Sequence, residues 1–274
     1  MKPIALLSAK GSPGVTTIAC RLARALAIRR PSGADLSEYP GVPEGVGSLV
    51  VEADLAGGDI AARFGLTGTP GLSTLSLRAE RGITGGEFFR HTQELAPKTR
   101  VLVGIAGAAQ GSSVVRSLPT VLEAVAALPI PTVIDLGRLD PTSPLCSGWL
   151  STALLCGLVV KSDTESVIHA RSMSEVLQGL GVVIEILIAQ VAGGHHPDEI
   201  GRALDLPVLA ELPLRSTGWD VTIDQIAGSV IDRLASEDGT SSRTTESVAG
   251  RAEGHALGTG RRPWLGRRVA VATS

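Results

Sequence analysis

Short apolar runs alternate with stretches of helical periodicity along most of this chain, and this alternation constrains the fold more than any other feature. Near-continuous apolar strands separated by helices indicate a parallel sheet that is covered on both faces. The pattern predicts strands at residues 3–7, 48–51, 100–103, 132–136, 154–160, 182–189 and 207–210. It predicts helices at residues 15–29, 60–64, 72–77, 114–127, 165–180, 197–204 and 223–234.

Two segments fall outside this alternation. Residues 30–47 are rich in Pro, Gly and acidic residues, which indicates a surface loop. Residues 236–274 are dominated by Gly, Ser, Thr, Ala and Arg without sustained periodicity, so we expect a disordered, basic C-terminal tail. The predicted organisation is therefore one α/β domain at residues 1–235, with a mostly parallel central sheet, followed by the tail at 236–274.

Composition excludes several classes of protein. The net charge of −2 creates no strong field that would attract nucleic acid. The three cysteines fit neither a secreted disulfide scaffold nor a zinc-binding pattern, which favours a reduced, cytoplasmic protein. The uncharged window at residues 141–160 carries two prolines and several Ser and Thr residues, so it is a poor membrane span.

A glycine-containing loop follows the first predicted strand, where residues 8–17 read SAKGSPGVTT. A strand that turns into a helix in this way directs several backbone N–H groups at one point, beside the positive end of the helix dipole. That geometry binds phosphate. The P-loop pattern G-x-x-x-x-G-K-[ST] is broken by Ala9 and Val15, whereas Thr16 stands where a hydroxyl can hold magnesium.

The same loop resembles the deviant Walker A loop, K-G-G-x-G-K-[ST], of the MinD/ParA family of P-loop ATPases. Four residues match this pattern: Lys10, Gly11, Gly14 and Thr16. Ser12 replaces a glycine, and Val15 replaces the loop lysine. The resemblance implies a P-loop NTPase fold with helices on both faces of the sheet. It also implies that ATP is held by the loop residues Gly11, Ser12, Pro13, Gly14, Val15, Thr16 and Thr17.

The resemblance continues at the ends of later strands. Residues 50–59, VVEADLAGGD, resemble the family's switch I, and residues 133–137, VIDLG, resemble its Walker B strand and the start of switch II. It implies that Asp54 orients the attacking water, and that Thr16, Asp54 and Asp135 hold magnesium. Gln190 and Pro213 correspond to the edge that contacts the nucleotide base, although the family usually has asparagine at the Gln190 position.

Lys10 and Val15 indicate different things about activity. Only four of the 25 basic residues are lysines, which favours a functional role for the one at the family's signature position. In that family, this lysine reaches across a dimer to the phosphates bound by the other subunit. Loss of the loop lysine at Val15 removes a charge-assisted hydrogen bond worth roughly 1.5–3 kcal/mol and a cation from the developing γ-phosphate charge.

The sequence therefore predicts a dimerising nucleotide switch with weak or absent ATP hydrolysis, in which Lys10 and Asp54 are the catalytic-site residues. The alternative is a pseudo-ATPase scaffold that does not need nucleotide. A ligase or synthetase of the same superfamily is disfavoured, because such enzymes need the loop lysine for phosphoryl transfer.

The nearest branch by resemblance is the CpaE/TadZ-like group, which is associated with Tad-type pili and secretion machines. The GSPGVTT form is also similar to chromosome-partitioning proteins. The implied partners are a second copy of the chain and a protein of a pilus, secretion or partitioning system. For the arginines around Trp264, a solvated tail is favoured over contact with membrane or nucleic acid, because Pro263 and Gly266 interrupt a helix.

Other conspicuous residues have simpler interpretations. Asp59 is expected to cap the helix at residues 60–64, and Glu52 to pair with a surface cation. His195 and His196 are expected to lie in a loop that leads into a helix starting at Pro197, rather than to form a metal site. Cys146 and Cys156 are expected to be small buried residues.

Overall fold

Eight strands form one sheet at the centre of the part of the chain that the structure describes. The structure is a computed structural model, and it describes residues 1–10, 13–29, 36, 39–54, 57–105, 107, 111–138 and 144–249. The strands are β1 (Ile4–Ser8), β2 (Ser48–Glu52), β3 (Gln93–Ala96), β4 (Thr99–Leu102), β5 (Thr132–Arg138), β6 (Leu155–Lys161), β7 (Ile184–Ala189) and β8 (Val208–Leu212).

The helices connect these strands and cover both faces of the sheet. They are α1 (Val15–Arg29), α2 (Ile60–Phe64), α3 (Leu72–Arg78), α4 (Gly85–Arg90), α5 (Gly111–Ala126), α6 (Pro144–Thr152), α7 (Thr164–Gly179), α8 (Pro197–Leu204) and α9 (Trp219–Ala249). The compact unit that contains the sheet spans Met1–Leu234. Among the helices of the described residues, none carries a stretch long and apolar enough to cross a bilayer.

The order of the strands places β1 between β5 and β6, in the sequence β3-β4-β2-β5-β1-β6-β7-β8. All neighbouring pairs are parallel except β3–β4, which is an antiparallel hairpin at one edge. Because the chain leaves β1 for β2 on the far side of β5, the carboxyl ends of these strands open into a crevice. Open α/β sheets bind their ligands at such a crevice.

Alternation of side chains along the buried strands divides the core into two apolar layers. Ile4 and Leu6 of β1 pack on one face with α1 and α9, whereas Ala5 and Leu7 pack on the other face with the layer that includes α5 and α7. Both layers consist mainly of buried aliphatic side chains, and the second also contains Phe88, Phe89 and Trp149. Each carboxyl end of β1, β2 and β5 is therefore fixed from above and below, which positions the residues that follow it.

The predicted elements agree closely with the observed ones. The bounds of α1, α2 and α8 are those predicted, and every predicted strand is present. The structure adds β3, α4 and α6, which the sequence pattern did not predict. The last helix begins at Trp219 and ends at Ala249, earlier and later than the predicted 223–234. The rest of the predicted tail, residues 250–274, lies outside the described residues.

Candidate functional site

A cleft of about 350 Å³ opens at the carboxyl ends of β1, β2 and β5. Its walls come from four places in the chain: the loop after β1, the start of α1, the segment from β2 into α2, and the end of β5. The lining residues are Ser8, Pro13, Gly14, Val15, Thr16, Asp54, Asp59, Arg63, Gly137 and Arg138. The sheet topology thus brings together residues that are more than 120 positions apart in the sequence.

The loop enters α1 through Gly14, which has a φ of 98°. This left-handed conformation favours glycine, and its carbonyl already accepts the Ile18 N–H at 2.9 Å, which starts the helix. The first N–H groups of a helix have no partner within it, so those of α1 are available to an anion at the cleft. Of the predicted loop residues, Pro13, Gly14, Val15, Thr16 and Thr17 are in place here. Gly11 and Ser12 lie outside the described residues.

Two of the predicted magnesium ligands, Asp54 and Asp135, both lie against Gly137. A Cβ atom at Gly137 would lie only 2.0 Å from Oδ2 of Asp54, so the Asp54 carboxylate occupies the space that a side chain would fill. Gly137 has a φ of 56° and donates its N–H to Oδ1 of Asp135 at 3.0 Å. Gly137 therefore binds the Asp135 carboxylate through its N–H, and its lack of a side chain leaves room for the Asp54 carboxylate.

Asp135 is completely buried, and Oδ2 of its carboxylate has no hydrogen-bond partner among the described residues. Burial raises its pKa to about 6, and the nearby negative charges of Glu52 and Asp54 add to the shift. The Thr16 side chain and the Gly137 amide act in the opposite direction and lower the pKa. A buried carboxylate oxygen without a donor is unusual in native proteins, and its chemistry fits the binding of a cation.

The donor set suits magnesium better than a softer metal. Thr16, Asp54 and Asp135 offer only hard oxygen atoms, which Mg²⁺ prefers. Within the described residues no group of three His, Cys, Asp or Glu side chains is arranged to hold a metal alone. Magnesium typically uses one or two carboxylates together with substrate phosphates, and this cleft fits that arrangement.

The predicted pairing of Glu52 with a surface cation is wrong. Glu52 is buried, and its two carboxylate oxygens accept the backbone N–H groups of Ile60 and Gly104, each at 2.8 Å. Burial raises its pKa, the backbone donors lower it, and Asp54 raises it further. Since a charged side chain is rarely buried without partners, these amides stand in for the cation that the sequence led us to expect.

Asp59 occupies the predicted N-cap position of α2, but its side chain makes no capping hydrogen bond. The Ile60 N–H is taken instead by Glu52, and Oδ2 of Asp59 accepts a hydrogen bond from Arg63 at 3.2 Å. Glu52 thus connects the end of β2 to the start of α2, and α2 carries Asp59 and Arg63 to the rim of the cleft.

Neither Lys10 nor Val15 places a positive charge in the cleft. Lys10 forms an exposed ion pair with Glu165 at the start of α7. Val15 is 4% exposed and packs in the apolar layer with Ile18 and Leu22, although it also reaches the cleft wall. The cation that Lys10 offers is therefore held on the side of the loop that faces α7.

The predicted base edge lies at the ends of β7 and β8. Gln190 donates its N–H to the Leu212 carbonyl at 2.9 Å, which places Gln190 beside Pro213. The Pro213 carbonyl accepts the indole N–H of Trp219 at 2.8 Å. A Cβ at Gly14 would lie 3.1 Å from the Trp219 ring, so this indole connects Pro213 to Gly14 at the start of α1.

The histidines near α8 and the cysteines have the structural roles that the sequence predicts. His196 is the N-cap of α8 and forms a capping box with Glu199, and Pro197 begins the helix as predicted. Cys146 and Cys156 are buried, as predicted. Cys20 is also buried, and its pKa is raised to about 12 by burial and then by the charge of Asp135, so this thiol beneath the cleft stays protonated.

Two residues that line the cleft, Arg63 and Arg138, were not identified from the sequence. Trp219, whose ring lies against Gly14, was not identified either. Arg138 directly follows the predicted Walker B segment, so its proximity to the segment was a signal that could have been used. Arg63 lies four residues after Asp59, the spacing of neighbours on a helix face. Trp219 carried no comparable signal, because its contact with Gly14 depends on the course of the chain after β8.

Sequence comparison and structural comparison give different results. No protein-family model matches the sequence, and no curated protein matches it. The fold, in contrast, is similar to that of solved ATPases. A ParA family ATPase from Chlorobium tepidum has a TM-score of 0.65 and 17% identity, over 84% of this chain and 91% of that one.

Two MinD structures are similar over nearly the same region. The septum site-determining protein MinD from Pyrococcus horikoshii, complexed with Mg-ADP, has a TM-score of 0.63 and 17% identity, over 85% of this chain and 97% of that one. The MinC:MinD cell division protein complex of Aquifex aeolicus has a TM-score of 0.61 and 14% identity, over 85% and 96%. The predicted α/β fold, with a mostly parallel central sheet and helices on both faces, is confirmed, and it is similar to the fold of these ParA and MinD structures.

Proposed function

We propose that this chain acts in the cytoplasm as a nucleotide-dependent switch of the MinD/ParA type. In this proposal it binds ATP with magnesium, dimerises, and positions a protein partner within the cell, while ATP hydrolysis is slow or absent. The comparisons support a positioning or partitioning ATPase at the level of fold. The finer statements rest on the cleft.

One observation carries the proposal. Oδ2 of the fully buried Asp135 has no partner among the described residues, and it lies beside Asp54, Thr16 and the start of α1. A phosphate group accompanied by magnesium would fit this arrangement of groups. The helix start would receive an anion, and the carboxylates would receive a cation.

Each residue has a specific role in this proposal. The N–H groups at the start of α1 bind phosphate oxygens, and Gly14 allows the close approach of the loop. Thr16, Asp54 and Asp135 hold magnesium, which when bound offsets the charge of the phosphates. Asp54 also orients water, and Gln190 and Pro213 contact the base. The MinD from Pyrococcus horikoshii is a Mg-ADP complex, which supports the same ligand for this chain.

Val15 limits catalysis in this proposal. Position 15 offers no lysine to stabilise charge on the γ-phosphate, so the same contacts that bind ATP do little for the transition state. Pseudo-ATPase function without nucleotide remains the competing proposal, and the burial of Val15 in the apolar layer is the observation that favours it.

Calorimetric titration of the purified full chain with ATP and with ADP, with and without magnesium, tests the proposal. We expect saturable binding that depends on magnesium, together with steady-state turnover far below that of an intact MinD or ParA ATPase measured in parallel. Val15→Lys gives the internal comparison and is expected to raise turnover. Absence of binding to any nucleotide would support the scaffold instead.

Dimerisation is tested by light scattering with ATP, ADP and no nucleotide, comparing wild type with Lys10→Ala. We expect the dimer to form with ATP and the variant to bind ATP but remain monomeric. For Lys10 to reach a second subunit, its ion pair with Glu165 has to open, so Glu165→Gln is expected to favour the dimer. An ATP-independent dimer would contradict the switch.

The partner is proposed to be a protein of a pilus or secretion apparatus or of a chromosome-partitioning system. The MinC:MinD complex of Aquifex aeolicus is an example of a partner bound to the same fold. Neighbouring genes separate the two systems, because a Tad-type secretion ATPase or a centromere-binding protein would indicate one or the other.

A further inference from the structure

The cleft contains arginine side chains where the loop lysine is missing. Position 15 contributes an apolar side chain that is buried with α1, and Lys10 is paired with Glu165 outside the cleft. Two guanidinium groups line the same cleft, those of Arg63 from α2 and Arg138 from the end of β5. A triphosphate is strongly anionic, and the cleft also carries acidic side chains, so a cation close to the loop matters for binding.

Arg63 is the better placed of the two. Its Nη1 donates to Oγ1 of Thr17 at 3.3 Å, and its Nη2 donates to Oδ2 of Asp59 at 3.2 Å. Thr17 lies in the first turn of α1, next to Thr16. The guanidinium is therefore at the end of the helix where the free N–H groups point and where a phosphate is expected.

The backbone supports this placement of Arg63. The Ile60 N–H is held by the buried Glu52 carboxylate at 2.8 Å, which fixes the first residue of α2 to the end of β2. Arg63 follows one helical turn later, so its Cα is fixed relative to the sheet and to Asp54. A flexible side chain on a fixed helix can reach the cleft without movement of the main chain.

The present partners of Arg63 are easy to exchange. Its side chain is 48% exposed and that of Asp59 is 67% exposed, and an ion pair so accessible to solvent contributes little to stability. The planar fork of a guanidinium can instead donate two parallel hydrogen bonds to a phosphate. Arg63 already lines the cleft, so it needs no place inside the loop.

We propose that Arg63 supplies, from α2 of the same subunit, the phosphate-binding cation that Val15 has removed from the loop. The inference rests on the proposed nucleotide binding and adds a binding residue to it. It also makes α2 part of the phosphate site, so the helix that follows switch I is held by the ligand in the bound state.

The test measures binding of ATP with magnesium, and of inorganic tripolyphosphate with magnesium, to the full chain by calorimetry. Arg63→Ala is expected to weaken both by about tenfold to a hundredfold, the loss of one charge-assisted hydrogen bond. Arg63→Lys is expected to recover part of the loss. Arg171→Ala is the matched control, because Arg171 also forms an exposed ion pair on a helix, with Glu175 one turn later.

A rescue experiment separates a phosphate contact from a structural role. If Arg63 replaces the loop lysine, Val15→Lys should restore binding to the Arg63→Ala variant and should add less to wild type. A structural role for Arg63 would lower the thermal midpoint, and Val15→Lys would not repair it.

The outcomes distinguish this inference from the function on which it rests. Wild type that binds ATP with an affinity unchanged by Arg63→Ala would overturn the role of Arg63 and leave the nucleotide switch intact. If Arg138→Ala greatly lowered the affinity for ATP while Arg63→Ala did not, the role proposed for Arg63 would also be overturned. Wild type that binds neither ATP nor tripolyphosphate would overturn both proposals.

Discussion

Two acidic side chains lie side by side on neighbouring strands, and their surroundings differ sharply. Glu52 of β2 and Asp135 of β5 are register partners in the parallel pairing, and both are buried. The two oxygens of Glu52 accept backbone N–H groups from Ile60 and Gly104. Asp135 accepts one such bond, from Gly137, and its other oxygen has no partner among the described residues.

The difference shows how burial alone can serve two purposes. A buried carboxylate whose oxygens are both occupied by fixed donors stabilises the loops that supply those donors. A buried carboxylate with one unoccupied oxygen costs stability, and it keeps that oxygen available for a ligand. Glu52 therefore has a structural role, because it holds the backbone at Ile60 and Gly104, whereas Asp135 has an oxygen that can bind a cation. The predictions below test this division.

Removal of the Glu52 carboxylate is expected to have the largest effect. Glu52→Ala leaves two buried N–H groups without acceptors, and each unsatisfied donor costs about 1–3 kcal/mol. We expect the free energy of unfolding, measured with urea, to fall by about 3 kcal/mol or more. Added MgATP should stabilise wild type and variant by about the same amount, so their difference should persist, because Glu52 makes no contact with the proposed ligand.

Glu52→Gln is the control for side-chain volume. It keeps one carbonyl oxygen as an acceptor and turns an NH2 group towards the other amide, so its loss of stability should be smaller than that of the alanine variant. Equal stability of all three proteins would mean that water replaces the carboxylate and that Glu52 does not organise the site.

Removal of the Asp135 charge is expected to act in the opposite direction. The pKa of Asp135 is raised from 3.8 to about 6, so the folded state holds this proton more tightly than the unfolded state does. Its contribution to stability is therefore greatest below about pH 4 and is lost as the pH rises to about 6. Asp135→Asn should raise the free energy of unfolding near pH 7 by up to about 3 kcal/mol.

The pH dependence distinguishes this effect from a change in packing. Urea unfolding of wild type and Asp135→Asn at about pH 4 and about pH 7 should show a difference only at the higher pH. The burial of Glu52, whose pKa is also raised, affects both proteins. The variant should lose magnesium-dependent nucleotide binding. A variant that is less stable than wild type at both pH values would contradict the assignment of Asp135 Oδ2 as a metal ligand.

The sequence predicted the site's main chain better than its side chains. The apolar periodicity of residues 15–29 and the strand-to-loop transitions at residues 48–51 and 132–136 led us to expect Thr16, Asp54 and Asp135 at one edge of the sheet, and the structure has these three residues close together. Parallel strands flanked by helices leave few other arrangements. β3 and α4 were missed because they are short and carry too little periodicity to stand out from loops.

The partners of a buried charge could not be predicted in the same way. Glu52 binds the Gly104 amide, 52 residues away, and no local pattern encodes a backbone donor at that distance. The Arg63 contact with Thr17 likewise spans 46 residues and depends on how α2 packs beside α1. Such contacts exist only once the sheet and its helices are assembled. For this reason the predicted surface cation for Glu52 and the predicted side-chain cap by Asp59 were wrong.

A pair of glycines gives the smallest and most selective test. A Cβ at Gly137 would meet Asp54 Oδ2 at 2.0 Å, and a Cβ at Gly58 would meet the Glu52 carboxylate at 2.1 Å. Gly137→Ala also strains a residue at a φ of 56°, so it should cost about 1–2 kcal/mol of stability. Because it displaces Asp54, it should weaken magnesium-dependent nucleotide binding more than its stability loss suggests.

Gly58→Ala is the matched substitution on the other carboxylate. It should lower stability through Glu52 and leave the nucleotide affinity of the folded protein nearly unchanged, because the Asp54 and Asp135 carboxylates are not displaced. Urea unfolding and calorimetric titration of both variants measure the two effects separately. If the two alanine variants lose affinity and stability in the same proportion, Glu52 and Asp135 do not have separate roles, and the carboxylates act as one cluster.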